Sequence, residues 1–252
     1  MNQSLLTQLE TEIKTWITSS TLYFTNERDL QVKLAKHLED SRKFDRVYTE
    51  YRVPLAELKH RGIPVEPNPQ LASTRKISPS FPWNNHLSID IVVESKGQFA
   101  AIELKYATKP INEKETLFGE DLLPETKILK SQDAGDLVMY NFWKDVRRIE
   151  MLTATFPNVV GGFAVIVTNN RAYWSEPNPG VMYVSFSLHE SNTVGSGNMC
   201  WNGNPSQEIL KKYPDFILSG SYHCHWDDTN ITATAANKYN DKFKYLIEKI
   251  SK

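Results

Sequence analysis

At 252 residues the chain is long enough to bury a full core as one domain, and its 40% hydrophobic and 23% charged content is ordinary for a soluble globular protein. The formal net charge of −1 gives no support to a uniformly basic nucleic-acid binder, although a cleft can localise positive charge that acids elsewhere cancel. No stretch approaches the roughly 20 apolar residues of a membrane span, Met1-Asn2-Gln3-Ser4 does not resemble a secretory signal, and Cys200 and Cys224 are too few for a disulfide framework; a cytoplasmic address without a membrane partner is expected.

Along the chain, apolar spacing predicts helices over Leu5–Ile17 and over Glu27–Leu38, where Leu30, Leu34 and Leu38 recur at helical intervals. Arg46–Val53 alternates as a strand that Pro54 ends. From Gly62 to Trp83, five prolines among polar residues predict a long loop inside an insertion of about residues 54–86. Leu87–Val93 and Gln98–Tyr106 read as paired strands, and a helix is expected from about Ser131 to Leu152. Phe163–Val167 has the continuous apolar character of a strand buried on both faces. Val181–Phe186 suggests a further strand, and Ala235–Ile250 a C-terminal helix. This order predicts an α/β fold: a three-layer α/β/α sandwich around a mixed central sheet, with a core at about 25–170 and a C-terminal elaboration at about 171–252.

The chemistry-bearing residues emerge from parity, because strand side chains alternate faces. Ile89, Ile91 and Val93 share one face and Asp90 takes the other; Ile102, Leu104 and Tyr106 point one way, Glu103 and Lys105 the opposite way. With Lys96 and Gly97 as a two-residue turn, Asp90 falls opposite Glu103 and Ser88 opposite Lys105. Facing carboxylates repel, and a hard divalent cation such as Mg²⁺ would offset that repulsion.

Asp90, a short hairpin and then Glu103-Leu104-Lys105 resemble the core pattern of the PD-(D/E)xK nuclease superfamily, which includes restriction endonucleases and Holliday-junction resolvases. Glu27, near the start of the first core helix, and Gln132, before the helix that follows the lysine strand, match supporting features of that family. The resemblance covers about Glu27 to Thr168; Ile89 stands where the family often has proline, and residues 54–86 have no counterpart in the minimal core. It implies a restriction-endonuclease-like fold and Mg²⁺-dependent phosphodiester hydrolysis, with Mn²⁺ as a substitute ion. Asp90, Glu103 and the Leu104 carbonyl would hold the metal, with Glu27 or Glu50 as the third acid. Lys105 would orient or help deprotonate the attacking water, and Gln132 would help position the scissile phosphate. A nucleic-acid partner, DNA ahead of RNA, is expected, and related nucleases often pair as homodimers to cut two strands. Alanine at Asp90, Glu103 or Lys105 is expected to abolish cutting and spare the fold.

Structural roles compete with each of these assignments. Asp90 and Glu103 could be edge-strand charges, Lys105 a salt-bridge partner, Glu27 a complement to the helix dipole, and Gln132 with Asp133 a helix cap. Arg42-Lys43 with Arg46, Lys59-His60-Arg61, Arg75-Lys76 and Arg147-Arg148 are local basic clusters. His223-Cys224-His225 with Cys200 matches no zinc module, and aromatic packing around Trp201, Tyr222 and Trp226 is expected there. The alternative function is a non-catalytic nucleic-acid- or protein-binding module on the same fold.

Overall fold

The computed structural model of the protein describes residues 4–63, 86–112, 116–123, 126–129, 131, 135–233 and 241–252. Gln132, Asp133, Arg75-Lys76 and the proline-rich stretch lie outside them. Helices α1 (Leu5–Ser19) and α2 (Glu27–Asp40) come first, followed by strand β1 (Arg46–Pro54) and the short helix α3 (Leu55–His60). Strands β2 (His86–Ser95) and β3 (Gln98–Tyr106) form a hairpin, and a small ribbon of β4 (Thr116–Leu117) and β5 (Glu120–Asp121) precedes helix α4 (Gly135–Thr155) and strand β6 (Val159–Thr168). The C-terminal third holds ribbons of β7 (Thr193–Val194) with β10 (Tyr222–His223) and of β8 (Gly197–Met199) with β9 (Phe216–Leu218). It also holds helix α5 (Gln207–Lys212) and strands β11 (Trp226–Thr232) and β12 (Lys242–Ser251). Among the described residues no helix is long and apolar enough to cross a membrane.

Six strands form one mixed sheet in the order β1-β2-β3-β6-β12-β11. All neighbours are antiparallel except β3 and β6, whose parallel pairing requires the crossover that α4 supplies. Two apolar clusters cover the two faces. On one, Leu9 and Ile13 of α1 and Leu30 and Leu34 of α2 pack on Ile91, Val93, Ile102, Leu104 and Phe163. On the other, Tyr140, Trp143, Val146 and Ile149 of α4 pack on Val92, Ala101, Ala164, Ile166 and Leu246.

β3 and β6 lie unusually close. Their register slips by one residue between Phe99↔Val159 and Ala100↔Gly161, and a Cβ added at Gly162 would stand 2.1 Å from the Ala101 carbonyl oxygen. No side chain fits there, so the glycine lets the strand carrying Glu103 and Lys105 seat against its central neighbour.

Two expected elements are different. Residues 242–251 are a strand, not the end of a helix: Phe243 and Tyr245 enter one apolar cluster and Leu246 and Ile250 the other. A strand between β6 and β11 is covered on both faces, so its apolar residues fall at both odd and even positions and imitate helical spacing over so short a run. Val181–Phe186 contains a 3₁₀ turn at Val184–Phe186 rather than a strand, buried through Phe186 against Tyr140 and Trp201.

The expected aromatic packing in the C-terminal third is present. Trp201 stacks on Tyr140 with centroids 5.5 Å apart, and the Trp226 indole donates to the Leu188 carbonyl at 2.6 Å. Glu150 of α4 pins this region to the core, accepting from Ser219 N at 2.9 Å, Gly220 N at 2.7 Å and the Tyr222 hydroxyl at 2.8 Å. Cys224 is buried, and the flanking histidines bond elsewhere, His223 to Thr193 and His225 to Glu190.

Glu248, on β12, gives a pH prediction remote from the candidate site. Burial pushes its carboxyl up to about 8; Cys224 is its hydrogen-bond partner, and one oxygen has no partner among the described residues. The folded protein therefore holds a proton that the unfolded chain has released between about pH 4.5 and 8, so this contribution to stability is full below that window and lost as pH rises through it. At about 1.4 kcal/mol per unit the full loss across the window approaches roughly 5 kcal/mol. Urea denaturation should show wild type falling below Glu248→Gln as pH rises from 5 to about 8.5. A constant difference between the two proteins across that range would contradict it.

Candidate active site

The β2–β3 hairpin turns at Lys96 and Gly97, with φ of 51° and 73°, as a two-residue turn with both residues left-handed. Its register runs from Ser95↔Gln98 to Ile91↔Ile102, the pairing inferred from the sequence. Pairing ends there, one residue short of Asp90 and Glu103. Asp90 Oδ2 takes the Leu104 N–H at 2.7 Å, while the Leu104 carbonyl accepts from Lys105 Nζ at 2.9 Å.

The alternation of β2 changes phase at this point. Ile91 and Val93 face α1 and α2, whereas Leu87 and Ile89 join Val92 in the opposite cluster, so Ile89 does not share a face with Ile91. β1 distorts alongside it, with Glu50 at φ 51° between the pairs Thr49↔Ile91 and Tyr51↔Ile89. Ser88 is consequently not opposite Lys105; its hydroxyl donates to Glu50 at 2.9 Å.

Four charged groups form an alternating chain beneath the hairpin. Glu103, 2% exposed, lies 3.3 Å from Arg148; Arg148 lies 3.1 Å from Asp145 Oδ1; and Asp145 Oδ2 lies 2.6 Å from Lys105 Nζ. Arg148 and Asp145 stand three residues apart on α4, the spacing that puts two side chains on one face of a helix. Asp90 completes the group through a hydrogen bond with Glu103.

Burial and the charges of Asp145 and Asp90 push the Glu103 carboxyl well above its ordinary value, against the pull of Arg148 and Lys105. Burial also raises Asp90. Both shifts favour the protonated form, as expected where two buried carboxyls lie close together. Lys105 shows the opposite balance: burial disfavours its charge, but Asp145, Glu27, Glu103 and Asp90 together hold the ammonium firmly protonated.

Glu27 belongs to the same site. Asn26 caps α2 by accepting from Asp29 N at 2.9 Å, and Asp29 returns the bond to Thr25 N at 3.0 Å. This fixes Glu27 in the first turn, where it accepts from Tyr106 N at 3.1 Å, with burial raising its pKa against the nearby Lys105. Glu50 is one step removed. Gln31 joins it to the Asp90 carbonyl with bonds of 3.1 and 2.6 Å, and Arg28 pairs with it at the surface. Bonds from Gln31 and Ser88 and the Arg28 charge keep Glu50 below the usual range despite partial burial. The structure brings Asp90, Glu103, Lys105 and Glu27 together and leaves Glu50 at the margin; Gln132 lies outside the described residues.

Glu27, Lys105, Asp145 and Arg148 border a cleft of about 970 Å³, together with Asn26, Lys127 and Lys144 among others, while Asp90 and Glu103 lie behind them and do not line it. The basic clusters seen in the sequence do not supply its charge: Lys43 pairs with Glu12, Arg61 with Glu57 and Arg147 with Glu150. Among the described residues of those clusters, Arg148 alone borders it. Asp145 and Lys144 were missed in the sequence, and Arg148 was read there only as part of a basic cluster with Arg147. Their signal was a pair of charges within an apolar helical stripe, since Asp145 is three residues from Phe142 and four from Ile149, all buried.

Among the described residues no group of three His, Cys, Asp or Glu side chains forms a ready metal cage. The donors named above nevertheless suit a dication. Two neighbouring buried carboxyls beside the Leu104 carbonyl offer hard oxygen donors, and a metal ion would offset their mutual repulsion. Comparison of the chain with protein-family models, with curated proteins and with solved structures finds no match, so the chemistry is argued from these residues alone.

Proposed function

We propose that this protein is a metal-dependent nuclease of the PD-(D/E)xK kind that hydrolyses phosphodiester bonds in DNA, built on a restriction-endonuclease-like three-layer architecture. The observation that carries the reading is the convergence of Asp90, Glu103 and Lys105 at the end of one central hairpin, beside an open cationic cleft. Asp90, Glu103 and the Leu104 carbonyl would hold Mg²⁺ or Mn²⁺, with Glu27 as the third acid rather than the more distant Glu50. Bound there, the ion would supply an acidified water and offset charge on the phosphate.

The protein's own groups divide the remaining work. Lys105, kept charged by four acids, acts as a cation and hydrogen-bond donor to the water and the phosphate oxygens, not as a base. Asp145 holds Lys105 and Arg148 in place. Arg148 lies against Glu103 and would offset its charge when the carboxyl ionises.

The internal pairing of these charges also favours a second reading, a binding module in which the same network only stabilises the fold. The two readings separate in one assay. Purified protein is incubated with duplex, single-stranded and branched DNA and with RNA, plus Mg²⁺ or Mn²⁺, beside Glu103→Gln as the control. Burial favours the neutral form of Glu103, so the amide should leave the fold intact while removing the metal ligand. Cleavage by wild type with a loss of about 100-fold or more in the variant supports the nuclease; equal cleavage by both would remove Glu103 from the mechanism, and binding without cleavage would leave the module.

A further inference from the structure

α4 presents Asn141, Lys144, Asp145 and Arg148 to the cleft, a spacing of three, four and seven residues that forms one stripe along the helix. Asp145 and Arg148 are spoken for within the charged chain. Lys144 is different. Its single hydrogen bond among the described residues is a long one of 3.4 Å to Asn141 Oδ1, and no carboxylate among them lies within ion-pair distance.

A half-buried ammonium without its own counter-ion is unfavourable, and here it stands near two further cations. Burial and the neighbouring Arg148 and Lys105 pull Lys144 down to about 8, against partial relief from Asp145 and Glu103. Packing does not explain the placement, because a longer apolar side chain would line the same wall without the cost. An anion entering the cleft would remove it, since it would sit among Lys105, Lys144 and Arg148 and cancel their mutual repulsion.

We propose that Lys144, with the Asn141 amide, is a seat for a backbone phosphate of the polynucleotide, adjacent to the phosphate that meets Lys105. The inference rests on the nuclease reading and names a residue that this reading does not require. Lys144 is a substrate-binding group here, with no part in the bond cleavage itself. The ligand class is a phosphodiester chain: successive phosphates can occupy this seat and the Lys105 position at once, which a single carboxylate cannot do.

The test is equilibrium binding without turnover. Short fluorescein-labelled duplex and single-stranded DNA are titrated by anisotropy in EDTA over a series of salt concentrations. Lys144→Gln should weaken binding on the order of 10-fold and lower the slope of log K against log salt by about one, while Lys144→Arg keeps the wild-type slope. A purely structural lysine would not move the salt slope, and thermal melting of both variants checks the fold. Wild-type affinity and slope in Lys144→Gln would overturn the seat and leave the nuclease reading standing. A wild-type protein that binds none of the probes would overturn both.

Discussion

Replacing Asp145 with alanine is expected to destabilise the protein by about 3 kcal/mol and to depress any phosphodiester cleavage with it. The carboxylate is 2% exposed and touches two cations, Lys105 at 2.6 Å and Arg148 at 3.1 Å. Removing one member of a buried pair costs roughly 3–5 kcal/mol because the partner's charge stays behind without compensation. The lower end applies here. Glu103, relieved of the charge that helps raise it, ionises more readily and takes over part of the pairing. Urea denaturation of Asp145→Ala and Asp145→Asn measures the effect, and a change within about 0.5 kcal/mol for both would show that the network bears little on stability.

Lys105→Ala is expected to lower cleavage on the order of 100- to 10,000-fold, the usual range for a single group that orients or exchanges protons with the reacting atoms. It should also lower the melting temperature, which differs from the expectation that alanine at the three core positions spares the fold. The ammonium is the shared counter-ion of Asp145, Glu27, Glu103 and Asp90, and truncation leaves Arg148 to offset Glu103, Asp145 and Asp90 while removing the cation beside Glu27. Glu103→Gln, which keeps the size of a side chain whose neutral form burial already favours, isolates the chemistry from the fold. Full activity in Lys105→Ala would remove the lysine from the reaction, whatever its role in stability.

The legible part of the site was the part governed by local geometry. Strand alternation put Glu103 and Lys105 on one face, and a glycine-containing two-residue turn fixed the hairpin register through Ile91↔Ile102. The same rule failed at Ile89 and Ser88. It assumes a regular strand, and β1 and β2 distort together where Glu50 takes a left-handed conformation. A glutamate gives no sequence warning of that conformation, unlike a glycine.

Residues 242–251 show the same limit in another form. Burial on both faces puts apolar residues at both parities, Phe243 and Tyr245 on one side and Leu246 and Ile250 on the other, so the strand's alternation breaks and the segment read as the end of a helix. The 3₁₀ turn at Val184–Phe186 likewise carries β-branched and aromatic residues that favour strands in isolation, yet packing against Tyr140 and Trp201 decides its shape.

By itself the sequence determined which residues could form the hairpin, which of them bear charge, and that two acids and a lysine would meet at its end, because these follow from the two-residue period of extended chain and from one turn. Only the tertiary structure decided what those groups face. Asp145 and Arg148 lie some forty residues further along the chain and reach Glu103 and Lys105 only because the β3–β6 crossover lays α4 across that side of the sheet. Charge compensation in a buried site depends on distances between elements, and no local pattern encodes them.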